Sequence, residues 1–206
     1  MDKGCLANVR THAEIKSILT PTMLHLWMFE ITDGLKYIHS QKLVHGDLSA
    51  ANILLDDNLH ILLCDFGLTT TSDPSLTQDY ASYGNVRWKA PELLLPTDSQ
   101  NSGQSSCMEV RKTEATDVYA LGCVFIEIFS GRVPFESDYQ STVVLFRVLR
   151  GERPSRPIQD TLSLSFAIPD DIWELINQCW KQCPSERLGL DDIYEITREN
   201  RLKYPL

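Results

Sequence analysis

Leu24, Trp27, Ile31, Leu35 and Ile38 recur at steps of three and four residues, so the stretch after Thr20-Pro21 has one apolar face. The threonine offers an N-cap oxygen, and a proline's missing N–H costs nothing in a first turn. The pattern predicts a helix from there to about Ser40. Leu43-Val44 is a short apolar pair leading into a polar stretch. Ile53-Leu54-Leu55 and Leu59 to Leu63 then flank Asp56-Asp57-Asn58, which predicts a hairpin with a tight polar turn. Residues 66 to 85 are rich in Ser, Thr, Asp, Gly and Tyr with little periodicity, as expected of a long loop. A second polar stretch at 97–106 reads as a surface insertion.

Farther on, Asp117 to Phe129 is almost wholly apolar, a buried helix stopped by Gly131-Arg132-Val133-Pro134. Tyr139 to Leu149 is predicted helical, and Arg153 to Pro157 is a proline-broken connection. Ile172, Leu175, Ile176 and Cys179 give one more amphipathic helix, ending near Trp180. The expected fold is therefore mainly α with a small β-hairpin and a long loop beside it.

Composition narrows the function more than the fold. The 206 residues are 43% hydrophobic and 23% charged, which excludes wholesale disorder. A formal net charge of −9 argues against a nucleic-acid backbone binder, which carries a basic face. Six cysteines are too few for a disulfide scaffold of this length, so a reduced, cytoplasmic protein is the expectation. The start, Met1-Asp2-Lys3-Gly4, lacks a basic segment followed by an apolar run, and no stretch is long enough for a membrane span.

Candidate chemistry gathers around the hairpin. In His45-Gly46-Asp47-Leu48-Ser49-Ala50-Ala51-Asn52 a carboxylate and a carboxamide lie five positions apart, and Asp65-Phe66-Gly67 follows the second strand directly. An amide oxygen converging with a carboxylate makes a hard-oxygen site suited to Mg²⁺. A second carboxylate can orient an attacking hydroxyl and accept its proton.

These residues resemble the protein kinase family, whose catalytic loop reads H-R-D-x-x-x-x-N and whose metal-binding loop reads D-F-G. Ala90-Pro91-Glu92 matches the A-P-E motif that closes the activation segment, here 65–92. Asp117-Val118-Tyr119-Ala120-Leu121-Gly122 resembles the start of the family's buried central helix. Cys179-Trp180 with Pro184-Ser185-Glu186-Arg187 resembles the segment whose Arg pairs with the A-P-E Glu. The resemblance implies Asp47 as catalytic base, assisted by Asn52, with Asn52 and Asp65 as metal ligands. It also implies Asp65 and Leu54 as contacts to ATP, Leu54 on the adenine. His45, Phe66, Gly67, Glu92, Asp117 and Arg187 take structural roles. Cofactors would be ATP and Mg²⁺, and the substrate a protein hydroxyl, Ser or Thr favoured. The Trp88-Lys89-Ala90-Pro91-Glu92 form and the Cys179-Trp180 pair look most like the tyrosine-kinase-like and tyrosine kinase groups.

The resemblance runs over nearly all of 1–206, as a helical C-terminal lobe. No G-x-G-x-x-G occurs in the sequence, and the family's strand Lys has no counterpart. The expectation is a partial domain, inactive alone. A missing N-terminal lobe or a partner would cover the nucleotide face around Leu54, Phe66 and residues 1–10. Gly46 replaces the Arg of H-R-D, which implies that phosphorylation among Thr69, Thr70, Thr71, Ser72, Ser75 and Thr77 does not act through that Arg. Ser49 stands where Ser/Thr kinases carry a Lys, Ala51 where Tyr kinases often carry an Arg, and Asn85 where a Thr is usual. The missing lobe, Ser49 and Gly46 support a rival reading, a pseudokinase-like interaction module without phosphate transfer. Cys64, the Trp27 stripe and Asp56-Asp57 read as packing thiol, core and solvated turn.

Overall fold

A computed structural model of the chain describes residues 4–9, 18–65, 83–95, 112–157 and 166–203. Helix α1, Pro21–Ser40, starts where the sequence predicts: Thr20 Oγ1 accepts from the Met23 N–H at 3.3 Å. It buries Leu24, Trp27, Ile31, Leu35 and Ile38, and the Trp27 indole N–H donates to the Leu59 carbonyl at 2.8 Å. That bond fixes the hairpin against the helix. Strands β1 (Ile53–Leu55) and β2 (Ile61–Leu63) pair antiparallel with Ile53 opposite Leu63 and Leu54 opposite Leu62. Asp56 Oδ1 closes the turn by accepting from the Asn58 and His60 N–H groups, each at 2.8 Å. Period two puts Ile53 and Leu55 into the core and leaves Leu54 and Leu62 on the outer face.

Helix α2, Glu114–Ser130, is the axle of the molecule. Thr113 and Thr116 form a reciprocal capping box, and Gly131 ends the helix in the left-handed conformation at φ 65°. From Thr116 onward every residue of α2 is buried, as its unbroken apolar run requires. Gly122 lets the next helix approach closely, since a Cβ there would sit 2.9 Å from that of Cys179. Helix α3 spans Ser141–Leu149, α4 Asp170–Cys179 and α5 Leu190–Lys203. α5 packs along α1, and α4 along α2.

Three sequence expectations change here. Tyr139 lies outside α3 and is 96% exposed; the helix begins two residues later. Helix α5 has no continuous apolar stripe, burying only Ile193, Thr197 and Asn200, so periodicity does not reveal it. Its signal is charge, with Asp191 and Asp192 in the first turn and Arg201 and Lys203 in the last. The amino-terminal segment is not an open apolar face either. Cys5 bridges to Leu54, the Leu55 N–H donates to the Gly4 carbonyl at 3.2 Å, and Leu6 and Val9 enter the core. No helix among the described residues is long and apolar enough to cross a membrane.

Candidate active site

The loop between α1 and β1 is held from beneath by one carboxylate. Asp117, in the first turn of α2 and 1% exposed, accepts from the His45 and Gly46 backbone N–H groups, each at 2.8 Å. Its Oδ2 also lies 2.8 Å from His39 Nε2, near the end of α1. Three short bonds satisfy a buried charge that would otherwise be costly. Gly46 takes φ 73°, a region where any other residue pays steric strain. The glycine at the place of the family's Arg thus suits the backbone that Asp117 grips.

His45 is fully buried, and burial lowers its imidazole's affinity for a proton, so the ring is neutral. The Asp47 N–H donates to its Nδ1 at 3.4 Å. Burial and the backbone bond fit the packing role that the resemblance implies for this ring.

Asp47 itself is half-buried, and Asn52 reaches back to it. Asn52 Nδ2 donates to the Asp47 carbonyl at 2.8 Å and to its carboxylate Oδ2 at 3.1 Å. With both bonds on the nitrogen, the Asn52 side-chain oxygen remains an acceptor for something else. The hairpin register then delivers the second carboxylate. The Cys64 N–H donates to the Asn52 carbonyl at 3.0 Å, extending the ladder by one pair beyond Ile53–Leu63. Asp65 follows at that same end, exposed and left-handed at φ 61°. Its carboxylate and the Asn52 oxygen are the hard donors of the set. No group of three or more His, Cys, Asp or Glu among the described residues is arranged to hold an ion. One amide and one carboxylate fit Mg²⁺, which keeps waters and takes phosphate oxygens as its remaining ligands.

Leu54, 36% exposed, stands beside this end on the outer face with Leu62, the apolar surface expected of an adenine floor. Cys64 is half-buried, and burial raises its thiol pKa, which fits packing. Ser49 does not face the site. It is 1% exposed, and its hydroxyl has no hydrogen-bond partner among the described residues. Phe66, Gly67, the threonines and serines between 69 and 77, the Asn85 side chain and the 97–106 insertion lie outside the described residues.

At the closing end of the segment, Arg187 makes a bidentate pair with Glu92, both N···O distances 2.7 Å, and caps the Ala115 carbonyl at 2.8 Å. The Arg187 side chain is 1% exposed and that of Glu92 26%. This pair, far apart in sequence, is the decisive juxtaposition beyond the hairpin. The family model for the protein kinase domain matches residues 1–197. The chain belongs to the protein kinase family.

It is similar to mitogen-activated protein kinase kinase kinase 1 of Arabidopsis thaliana, 34% identical over 82% of this chain and 24% of that protein. Mitogen-activated protein kinase kinase kinase 9 of the same plant is 35% identical over 81% of this chain and 19% of its own length. The dual specificity protein kinase pyk3 of Dictyostelium discoideum is 30% identical over 92% of this chain and 12% of its own. The chain thus spans about a quarter or less of these relatives. Protein kinases use ATP and Mg²⁺ and act on protein substrates.

Sequence reasoning missed four contributors to this kinase site. His39 is hidden on the polar edge of α1, and only its partner Asp117 reveals its role. Arg87 donates to the carbonyls of Pro134 at 2.7 Å, Phe135 at 2.6 Å and Asp138 at 2.5 Å, fastening the segment to the loop after α2. Trp88 Nε1 donates to Glu127 Oε2 at 3.0 Å. A glutamate inside the apolar run of α2 was the one visible signal of that pair.

Proposed function

We propose that this chain carries the metal- and acceptor-binding half of a protein kinase active site, acting on Ser or Thr hydroxyls and inactive alone. The observation that supports it best is the Asn52 amide. One side chain fixes the Asp47 carboxylate through its nitrogen and keeps its oxygen for a cation, at the hairpin end where Asp65 arrives. Asp47 Oδ2, so held, would accept the proton of an acceptor hydroxyl as its oxygen attacks the γ-phosphorus of ATP and the bond from that phosphorus to the departing ADP breaks. Asn52 and Asp65 would hold the cation, and Leu54 would underlie the nucleotide base. When bound, Mg²⁺ neutralises charge on the phosphate oxygens. The Ser/Thr assignment leans on relatives whose names read probable serine/threonine-protein kinase.

Inactivity alone follows from what positioning requires. Phosphate transfer depends on holding both reactants, and these 206 residues carry no Gly-rich loop to cover the phosphates. The same lack, with Gly46 and the inward-facing Ser49, favours the second reading, a pseudokinase-like partner-binding module. The test is Mg-ATP binding and phosphate transfer to a Ser/Thr peptide, with Asp47→Asn as control. Mg-ATP binding without transfer is expected. Transfer that vanishes in Asp47→Asn would overturn inactivity, while no Mg-ATP binding at all would favour the module.

A further inference from the structure

The end of α2, the loop 132–137, Arg147 of α3 and the connection 153–157 line an open groove of about 490 Å³, which the proposed chemistry does not use. Four arginines face it, Arg132, Arg147, Arg153 and Arg156, against a single carboxylate, Glu136. A chain whose formal charge is −9 has thus collected cations on one concave surface. The rest of the lining is largely apolar, with Val133, Pro134, Phe135 and Pro154 among it, and Val133 is 37% exposed. One wall is preformed. Phe135 sits at φ 56°, a conformation costly for an aromatic residue, and Arg87 holds it there through the Pro134 and Phe135 carbonyls. Arg87 belongs to the end of the activation segment, so the loop that walls the groove is bonded directly to that segment.

The charge in the groove is open to exchange. Arg132 pairs with Glu136 at 2.9 Å, both side chains about half exposed. Arg156 donates to the Ile168 carbonyl and pairs at 2.7 Å with Asp170, whose side chain is 95% exposed. Exposed pairs of this kind are worth little, so an incoming carboxylate replaces them at small cost. Among the described residues Arg153 meets only neutral acceptors, the Trp180, Val148 and Glu152 carbonyls and the Gln182 amide oxygen. Arg147 is committed to Asp138 and Glu152, neither of which lines the groove.

We propose that this groove docks an acidic segment of the protein substrate. Its carboxylates pair with Arg132 and Arg156 in the field of Arg153, and an apolar side chain beside them rests on Val133 and Pro134. That the occupant is a substrate rests on the kinase reading above; the groove and its charge do not depend on it. Guanidinium groups take carboxylates in bidentate pairs, and arginine clusters recur as readers of acidic motifs. The apolar share of the lining favours a peptide over a simple anion, because inorganic phosphate would meet the arginines and leave Val133 and Pro134 uncovered. A nucleic acid fits worse, since the acidic excess of the whole chain repels it.

A short fluorescent peptide alternating Glu and Leu, titrated onto the intact chain by anisotropy and followed by NMR, tests this. Binding should shift Val133 and the side chains of Arg132 and Arg156, and should weaken as salt rises. A peptide with Gln for every Glu should bind about tenfold more weakly. Arg132→Glu combined with Arg156→Glu should lose a similar factor, while Arg198→Glu, on α5 and 52% exposed, should bind as the wild type does. Should the double variant fail to fold, the Gln peptide and competition by inorganic phosphate carry the test on the unaltered chain. Equal binding of the Gln peptide, displacement by an equal concentration of phosphate, shifts centred outside the groove, or an equal loss in Arg198→Glu would overturn the proposal. So would the same shifts appearing with protein concentration and no peptide, which would assign the groove to a second copy. Failure of Mg-ATP binding with peptide binding intact would strike the kinase reading and leave the acidic docking groove standing.

Discussion

Ser49 buries a hydroxyl that has no hydrogen-bond partner among the described residues. Its neighbours Leu48 and Ala50 are buried, and the backbone turn Ser49–Asn52 directs the side chain inward, so the position cannot serve a phosphate as a Lys could. A buried hydroxyl without a partner costs about 1–3 kcal/mol. Ser49→Ala should therefore raise stability by about 1 kcal/mol in urea unfolding. A loss of that size would show that the hydroxyl makes a bond the structure lacks. The residue scale was also where sequence reading was sharpest. Asp47, Asn52, Asp65, Glu92, Asp117 and Arg187 could be picked out because their motifs are local and ordered. The inward turn of Ser49 and the left-handed Gly46 were not legible. Both depend on Asp117 gripping the loop from α2, a contact some seventy residues away in sequence.

Among the elements, α1, the hairpin and α2 were legible because each has its own period, cap or stop signal. Helix α5 was not, since it packs along α1 with few buried residues and its surface is mostly polar. Joining the elements is the work of a few polar pairs. Glu92–Arg187 ties the end of the activation segment to the turn after α4 and, through the Ala115 carbonyl, to the start of α2. Glu92→Gln leaves a guanidinium that is 1% exposed without a counter-charge. Removing one partner of a buried pair costs about 3–5 kcal/mol, and the partial exposure of Glu92 should bring this nearer 2–3 kcal/mol. Once Glu92 is gone, Arg187→Met should cost less than it does alone. A double-mutant cycle with coupling below about 0.5 kcal/mol would show that the two residues act separately.

For the molecule as a whole, the buried axle of α2 holds the catalytic loop at its first turn through Asp117, and the activation segment farther along through Glu127. The site is built outward from that helix, and its exposed end carries Asp65 with Leu54 and Leu62 nearby on the hairpin's outer face. The formal charge of −9 gives no sign of this organisation, because the cation site needs only one carboxylate and one amide placed together. We propose that Asn52 and Asp65 jointly hold the cation of a bound nucleotide. Paramagnetic broadening by Mn²⁺-ATP, read residue by residue in the NMR spectrum of the intact chain, tests it most directly. Resonances of Asn52, Cys64 and Asp65 should broaden first, and Asp65→Asn should abolish the effect while Asp57→Asn leaves it unchanged. Broadening centred elsewhere, or undiminished in Asp65→Asn, would contradict the claim.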